Sequence, residues 1–145
     1  MIARPRTGLY RSVMCLAALA MIPACSLATA HLTDITVAKD IAFTTPTTTF
    51  APTDAIYVRS GVANVSGKVT MQWHLIAEHV TGQPANTPIP QANKSFDFSS
   101  DGTSWYGFSP PTAGWPAGTY RIEVDMMVDG QQKDQKTAEF TVAPS

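Results

Sequence analysis

An all-β sandwich of about seven antiparallel strands is the fold this sequence predicts, and three observations predict it. Apolar and polar residues alternate with a period of two almost everywhere after His31, no long segment follows the helical period, and turn signals separate the alternating runs. Of the 145 residues, the first thirty read as a leader. The remaining residues, about 115, suffice for one domain with a core of its own and not for two.

The leader comes first. Residues 1–11, MIARPRTGLYR, carry Arg4, Arg6 and Arg11 and no acid, and a run without charge extends from Ser12 to Ala30. Its strongly apolar part, 13–22, is half the length that a membrane span needs and suits the apolar core of a secretory signal. Pro23 then breaks the helix, and small residues follow. Two cuts compete. Ala28-Thr29-Ala30 fits the A-x-A pattern and would leave a mature chain from His31. Ile22-Pro23-Ala24-Cys25 resembles the bacterial lipobox, apart from Pro23, and would leave a chain lipid-anchored through Cys25. The expected division is a signal peptide over 1–30 and a single domain over 31–145, in an exported protein, periplasmic or secreted, that meets a membrane only if Cys25 is lipidated.

Each strand has its own pattern. Residues 32–43 predict an edge strand broken near Lys39-Asp40, and 44–49, TTPTTT, a loop. In 54–65, Ile56, Val58 and Val62 alternate against Tyr57, Arg59 and Ala63. In 69–80, VTMQWHLIAEHV, one face holds Val69, Met71, Trp73, Leu75 and Ala77, and the other holds Thr70, Gln72, His74, Ile76 and Glu78. The three prolines of 81–93 argue against a strand interior there. Two shorter strands, 94–99 and 103–109, flank the turn Ser100-Asp101-Gly102, and 110–118, PPTAGWPAG, is dense in turn residues. Residues 119–128 put Tyr120, Ile122, Val124, Met126 and Val128 on one face. Asp129-Gly130 suits the positive φ of a tight hairpin, and the return strand is expected over 137–142. Met71, Trp73, Leu75, Tyr120, Ile122, Val124, Met126 and Phe140 are expected to make much of one core.

Two stretches resemble a family. Trp73 lies mid-strand in the third long segment, and 115–124, WPAGTYRIEV, resembles the P-x-G-x-Y-x-hydrophobic-x-hydrophobic pattern with which bacterial Ig-like and fibronectin type III-like domains enter their penultimate strand. Phe140-Thr141-Val142 looks like their closing strand. The resemblance covers roughly residues 32–143. It implies a seven-stranded antiparallel Ig-like sandwich and a binding, spacing or assembly role, and it supplies no catalytic residues. The disulfide of antibody domains is absent, because Cys15 and Cys25 both precede the A-x-A site.

Composition narrows the function. Three of the ten basic residues fall in the leader, which leaves seven against eleven acids and a net charge of −4. The charges are scattered, so nucleic-acid binding is not expected. No nucleophile elbow, phosphate-cradling glycine loop or H-E-x-x-H motif occurs, so no enzyme and no cofactor are expected. Two other readings stand beside a non-catalytic module that binds a protein or an envelope component. If the cut follows Ala30, His31 joins an α-amine to an imidazole and could chelate copper, as in small secreted copper proteins. His74 and His79 are the remaining imidazoles; five apart on one strand, they should face opposite ways, so at most one could join His31. Trp105, Tyr106 and Trp115 are the candidate ligand-facing aromatics of a carbohydrate-binding module. Trp105 and Tyr106 are adjacent and must face opposite ways, and Trp115 reads more simply as packing in a loop.

Overall fold

A computed structural model describes residues 29–145; the signal region, Cys25 and the choice between the two cuts lie outside the described residues. In chain order the strands are β1 (His31–Leu32), β2 (Thr36–Ala38), β3 (Thr49–Phe50), β4 (Ile56–Ala63), β5 (Val69–Val80), β6 (Thr87–Pro88), β7 (Lys94–Phe98), β8 (Gly102–Phe108), β9 (Gly118–Val128) and β10 (Gln131–Val142). The described residues are all-β, with one 3-10 turn over Pro90–Ala92.

Two sheets face each other. In the smaller, β4 is central, with β8 along one edge and β1 and β2 end to end along the other. In the larger the order is β3-β10-β9-β5, and β7 and β6 follow one another along the outer edge of β5. All pairs are antiparallel except β3 with β10.

Ten strands thus stand where seven were expected. The expected first strand ends early: β1 and β2 are separate short pieces, and the chain leaves the sheet at Lys39. Two segments read as loops contribute β3 and β6, because backbone N–H and C=O groups beside an open edge gain more by pairing than by staying unpaired. The last strand begins at Gln131 rather than at residue 137. Its first half, QQKDQK, has no apolar alternation and is strand because it pairs with β9 from the turn onward. That turn is as expected: Asp129 and Gly130 have φ of 51° and 74°, the double positive φ of a hairpin whose twist matches its strands.

The core expectation holds. Met71, Trp73, Leu75, Tyr120, Ile122, Val124, Met126 and Phe140 are all buried, and they join Leu32, Ile56, Val58 and Val62 of the small sheet in one cluster. Tyr120 and Phe140 stack at 5.2 Å between centroids, and Phe50 and Trp115 meet this pair edge-on. The start of the fold is tied to its end. The Leu32 N–H donates to Asp134 Oδ2 at 2.8 Å, and Lys136 Nζ donates to Asp34 Oδ1 at 2.9 Å. Gly118 is obligatory for packing: its φ is 144°, and a Cβ there would lie 2.2 Å from the His79 carbonyl oxygen.

One irregularity changes a side-chain assignment. Opposite β9, the β5 ladder slips between Ala77 and His79, so Glu78 is an extra residue. The slip reverses the alternation: Trp73, Leu75 and Ala77 point inward, and then Val80 does instead of His79. His79 is exposed, on the same outer face as His74, which corrects the expectation that the two face opposite ways.

Candidate binding groove

The outer face of the small sheet carries the candidate site. On β4, Ile56 and Val58 point into the core, so Tyr57 and Arg59 point out. On β8, Ser104 and Phe108 point in, so Thr103, Trp105 and Gly107 point out. The register sets Tyr57 opposite Gly107 and Arg59 opposite Trp105. The Tyr57 and Trp105 rings lie 6.4 Å apart with 53° between their planes. Trp105 keeps 48% of its surface in water. Gly107 makes the arrangement possible: a Cβ there would lie 2.8 Å from Tyr57 Cε1, so the ring rests on bare backbone.

A loop walls one side. Between β2 and β3 the chain turns back over the outer face, held by the Thr47 N–H donating to the Val37 carbonyl at 2.9 Å and by a bridge between Ala38 and Pro46. Phe43, at φ 54°, tucks its ring beneath the Arg59 guanidinium, 4.6 Å from the ring centre, and is buried there. Ile41 stays 55% exposed. Asp40 accepts hydrogen bonds from the Thr44 N–H at 3.2 Å and the Thr44 hydroxyl at 3.1 Å, which hold its carboxyl below the usual carboxylate range and fasten the loop. The groove so formed, about 520 Å³, runs from Ile41 past Tyr57 and Trp105 to Tyr106 and Lys94 at the edge of β8. There Lys94 Nζ, from β7, lies 4.9 Å above the Tyr106 ring.

The two outer faces differ in charge. On the large sheet, Glu78, Glu123 and Asp125 lie around Arg121 and His74, and Asp97 pairs with Lys68 at 3.0 Å; Arg121 pairs with Glu78, and Asp125, itself buried, accepts from Gln135 Nε2 at 2.8 Å. The outward positions of β4 and β8 carry Arg59 and no carboxylate. Among the described residues Arg59 and Lys94 make no ion pair.

The three aromatics picked out from sequence separate. Trp105 faces out into the groove. Tyr106 is half-buried, edge-on to Phe108 at 4.8 Å. Trp115 is largely buried: it is 9% exposed, its Nε1 donates to the Asp54 carbonyl at 3.0 Å, and its backbone N–H donates to the Pro52 carbonyl at 2.8 Å. The loop 110–117 folds back and covers the core with that ring, whose remaining edge lines a separate cavity beside Ile89 and Pro116, away from Trp105. Tyr57, Ile41 and Arg59 were missed. The glycine at 107 inside a strand was the available signal, since such a glycine marks a close approach of another group.

The histidines do not assemble either. His31 lies at the end of the sandwich, 3.5 Å from Asn64 Nδ2 and beside Val69, the first residue of β5. His74 and His79 are five and ten residues further along that strand, roughly 16 and 33 Å away at 3.3 Å per residue. His74 is engaged with Asp125 Oδ2 at 3.5 Å. His31, His74 and His79 therefore do not fit a shared copper ion.

No family model matches the chain, and no curated protein matches it in sequence. Solved structures share its fold. A glycosyl hydrolase family 2 member from Bacteroides cellulosilyticus aligns over 78% of this chain and 15% of its own, with 14% identity and a TM-score of 0.51. A Pseudomonas fluorescens alkylpurine DNA glycosylase, bound to DNA containing an abasic site analog, aligns over 79% of this chain and 30% of its own, with 12% identity and a TM-score of 0.51. A β-glucosidase from Erythrobacter marinus aligns over 79% and 15%, with 9% identity and a TM-score of 0.50. The chain spans less than a third of each of these proteins, and at such identities the likeness is one of fold alone.

Proposed function

We propose that this chain is an exported, non-catalytic binding module of the bacterial envelope or secretome, that its domain is an Ig-like sandwich, and that it binds its partner through the Tyr57–Trp105 groove. Export rests on the basic, apolar and small-residue segments of the leader. The Ig-like reading is supported by Trp73 buried in β5 and by the Tyr120 hydroxyl donating to the Pro116 carbonyl at 2.9 Å, the corner that ties a tyrosine at the start of a strand back to the chain before it. One observation carries the binding role. A large aromatic, Trp105, stands in water on the open face of a sheet, with a second ring laid beside it by a glycine. A core has no use for that arrangement, and recognition does. The copper reading lacks a second imidazole near His31 and is not favoured.

The test has two parts. Mass spectrometry of the exported protein is expected to give a chain beginning at His31; a diacylglyceryl-bearing chain beginning at Cys25 would make it membrane-anchored, and an unprocessed chain would overturn export. The mature chain is then sedimented with isolated cell envelopes. Wild type is expected to co-sediment and Trp105→Ala to stay in solution with an unchanged melt. Equal partitioning of the two would exclude this groove.

A further inference from the structure

We infer that the groove takes an acidic oligosaccharide, one bearing uronate carboxylates, with sugar rings laid on Trp105 and Tyr57 and the carboxylates met by Arg59 and Lys94. This rests on the binding-module reading and names the ligand of that same groove. The rings supply the first half. Sugar rings present flat faces of C–H groups, which are attracted to the negative face of an aromatic ring, while their hydroxyls remain in water at the rim. Trp105 and Tyr57 offer two such faces side by side, tilted rather than coplanar, over a shallow open groove. The charges supply the second half. With net −4 after removal of the leader, the chain should repel acidic ligands, yet the outward positions of β4 and β8 carry no carboxylate, while β5, β7, β9 and β10 carry Glu78, Asp97, Glu123, Asp125 and Glu139. Two cations border this face, Arg59 on it opposite Trp105 and Lys94 reaching the end of the groove from β7 of the other sheet, and neither pairs with a carboxylate among the described residues. Arg59 is directly opposite Trp105 and is held by Phe43 beneath it, so its guanidinium fork is preset for a carboxylate above.

A peptide strand fits less well. It would enter along the free edge of β8, and Lys94 reaches across that edge over Tyr106. A lysine so placed is the usual guard against strand addition.

The mature protein is titrated with a short oligogalacturonate, a cello-oligosaccharide of the same length and polyglutamate, followed by tryptophan fluorescence and calorimetry. The oligogalacturonate is expected to bind about tenfold more tightly than the neutral oligomer, with the difference shrinking as salt rises. Trp105→Ala should abolish binding, and Arg59→Ala should remove most of the preference for the acid. Gly107→Ala is the discriminating variant: it should fold as well as wild type, since only the Tyr57 ring must move, and it should bind several-fold more weakly. Equal binding of neutral and acidic oligomers would overturn the charge assignment, and tighter binding of polyglutamate would replace the sugar by an acidic peptide. If no oligosaccharide binds while Trp105→Ala still abolishes envelope binding, this inference fails and the binding-module reading stands.

Discussion

Trp73 is the most informative residue to cut. It lies mid-way along β5, between β9 and β7, and is 0% exposed, with Phe96 edge-on at 6.4 Å. Its indole Nε1 is buried and has no hydrogen-bond partner among the described residues. Truncation to alanine removes a full bicyclic side chain from a two-sided core and is expected to cost about 3–5 kcal/mol. Against a total of roughly 5–15 kcal/mol for a domain of this size, that takes a large share of the stability. Phenylalanine should behave differently. It leaves a smaller cavity and removes a donor whose unmet hydrogen bond costs the native state about 1–3 kcal/mol. The two effects oppose one another, so Trp73→Phe is expected to cost about 1–2 kcal/mol. The assay is urea unfolding followed by far-ultraviolet circular dichroism, because tryptophan emission changes with the substitution itself. Unchanged m-values would license the comparison of midpoints. A Trp73→Phe penalty equal to that of Trp73→Ala would refute the reasoning, since it would mean the indole N–H makes a hydrogen bond that stabilises the fold. An alanine penalty under about 1 kcal/mol would place Trp73 at a surface.

Two further outcomes follow. Gly118→Ala combines a left-handed φ with a Cβ set against the His79 carbonyl and should cost about 3 kcal/mol in the same melt; a near-neutral result would mean the β5–β9 junction is looser than described. Asp54 is held below the usual carboxylate range by the hydrogen bond from Lys39 and then by the Ala51 N–H, so its stabilisation is complete above the unfolded-state value of about 4 and is lost as pH falls below it. Asp54→Asn should therefore lower stability at neutral pH by about 0.5–1 kcal/mol and flatten the acid side of a stability–pH curve, and an unchanged acid slope would exclude the assignment.

What could be read in the sequence was whatever one segment decides alone. Alternation identifies the faces of β4 and β9, and of β5 as far as Ala77, because each meets the core along that length, and Asp129-Gly130 announces its own turn. What could not be read depends on two segments at once. Gln131 to Lys136 are strand through their partner β9, and the bulge at Glu78 is a mismatch between two ladders, not a property of VTMQWHLIAEHV. The groove has the same character. Trp105 was legible as a candidate. Its neighbour Tyr57 is 48 residues away in the chain, and only the β4–β8 register and the glycine at 107 bring the rings together. Trp115 was ambiguous for the converse reason: a tryptophan among prolines looks the same in sequence whether its loop folds inward or hangs free.

The ties between the two ends of the chain set an order in time. Leu32 is 1% exposed only because the rest of the sandwich encloses it, and its N–H is met by Asp134, which is made 102 residues later. The parallel pairing of β3 with the end of β10 adds a second such dependence. A chain delivered N-terminus first, from a ribosome or through a translocation pore, can pair β1 and β2 with β4 early, but it carries β3 without its partner, and the Leu32 N–H without its acceptor, until the last strand has emerged. The sandwich cannot close by halves, and contacts so distant in sequence form slowly. The length of chain that must be kept from premature collapse or stray pairing during delivery is then nearly the whole domain.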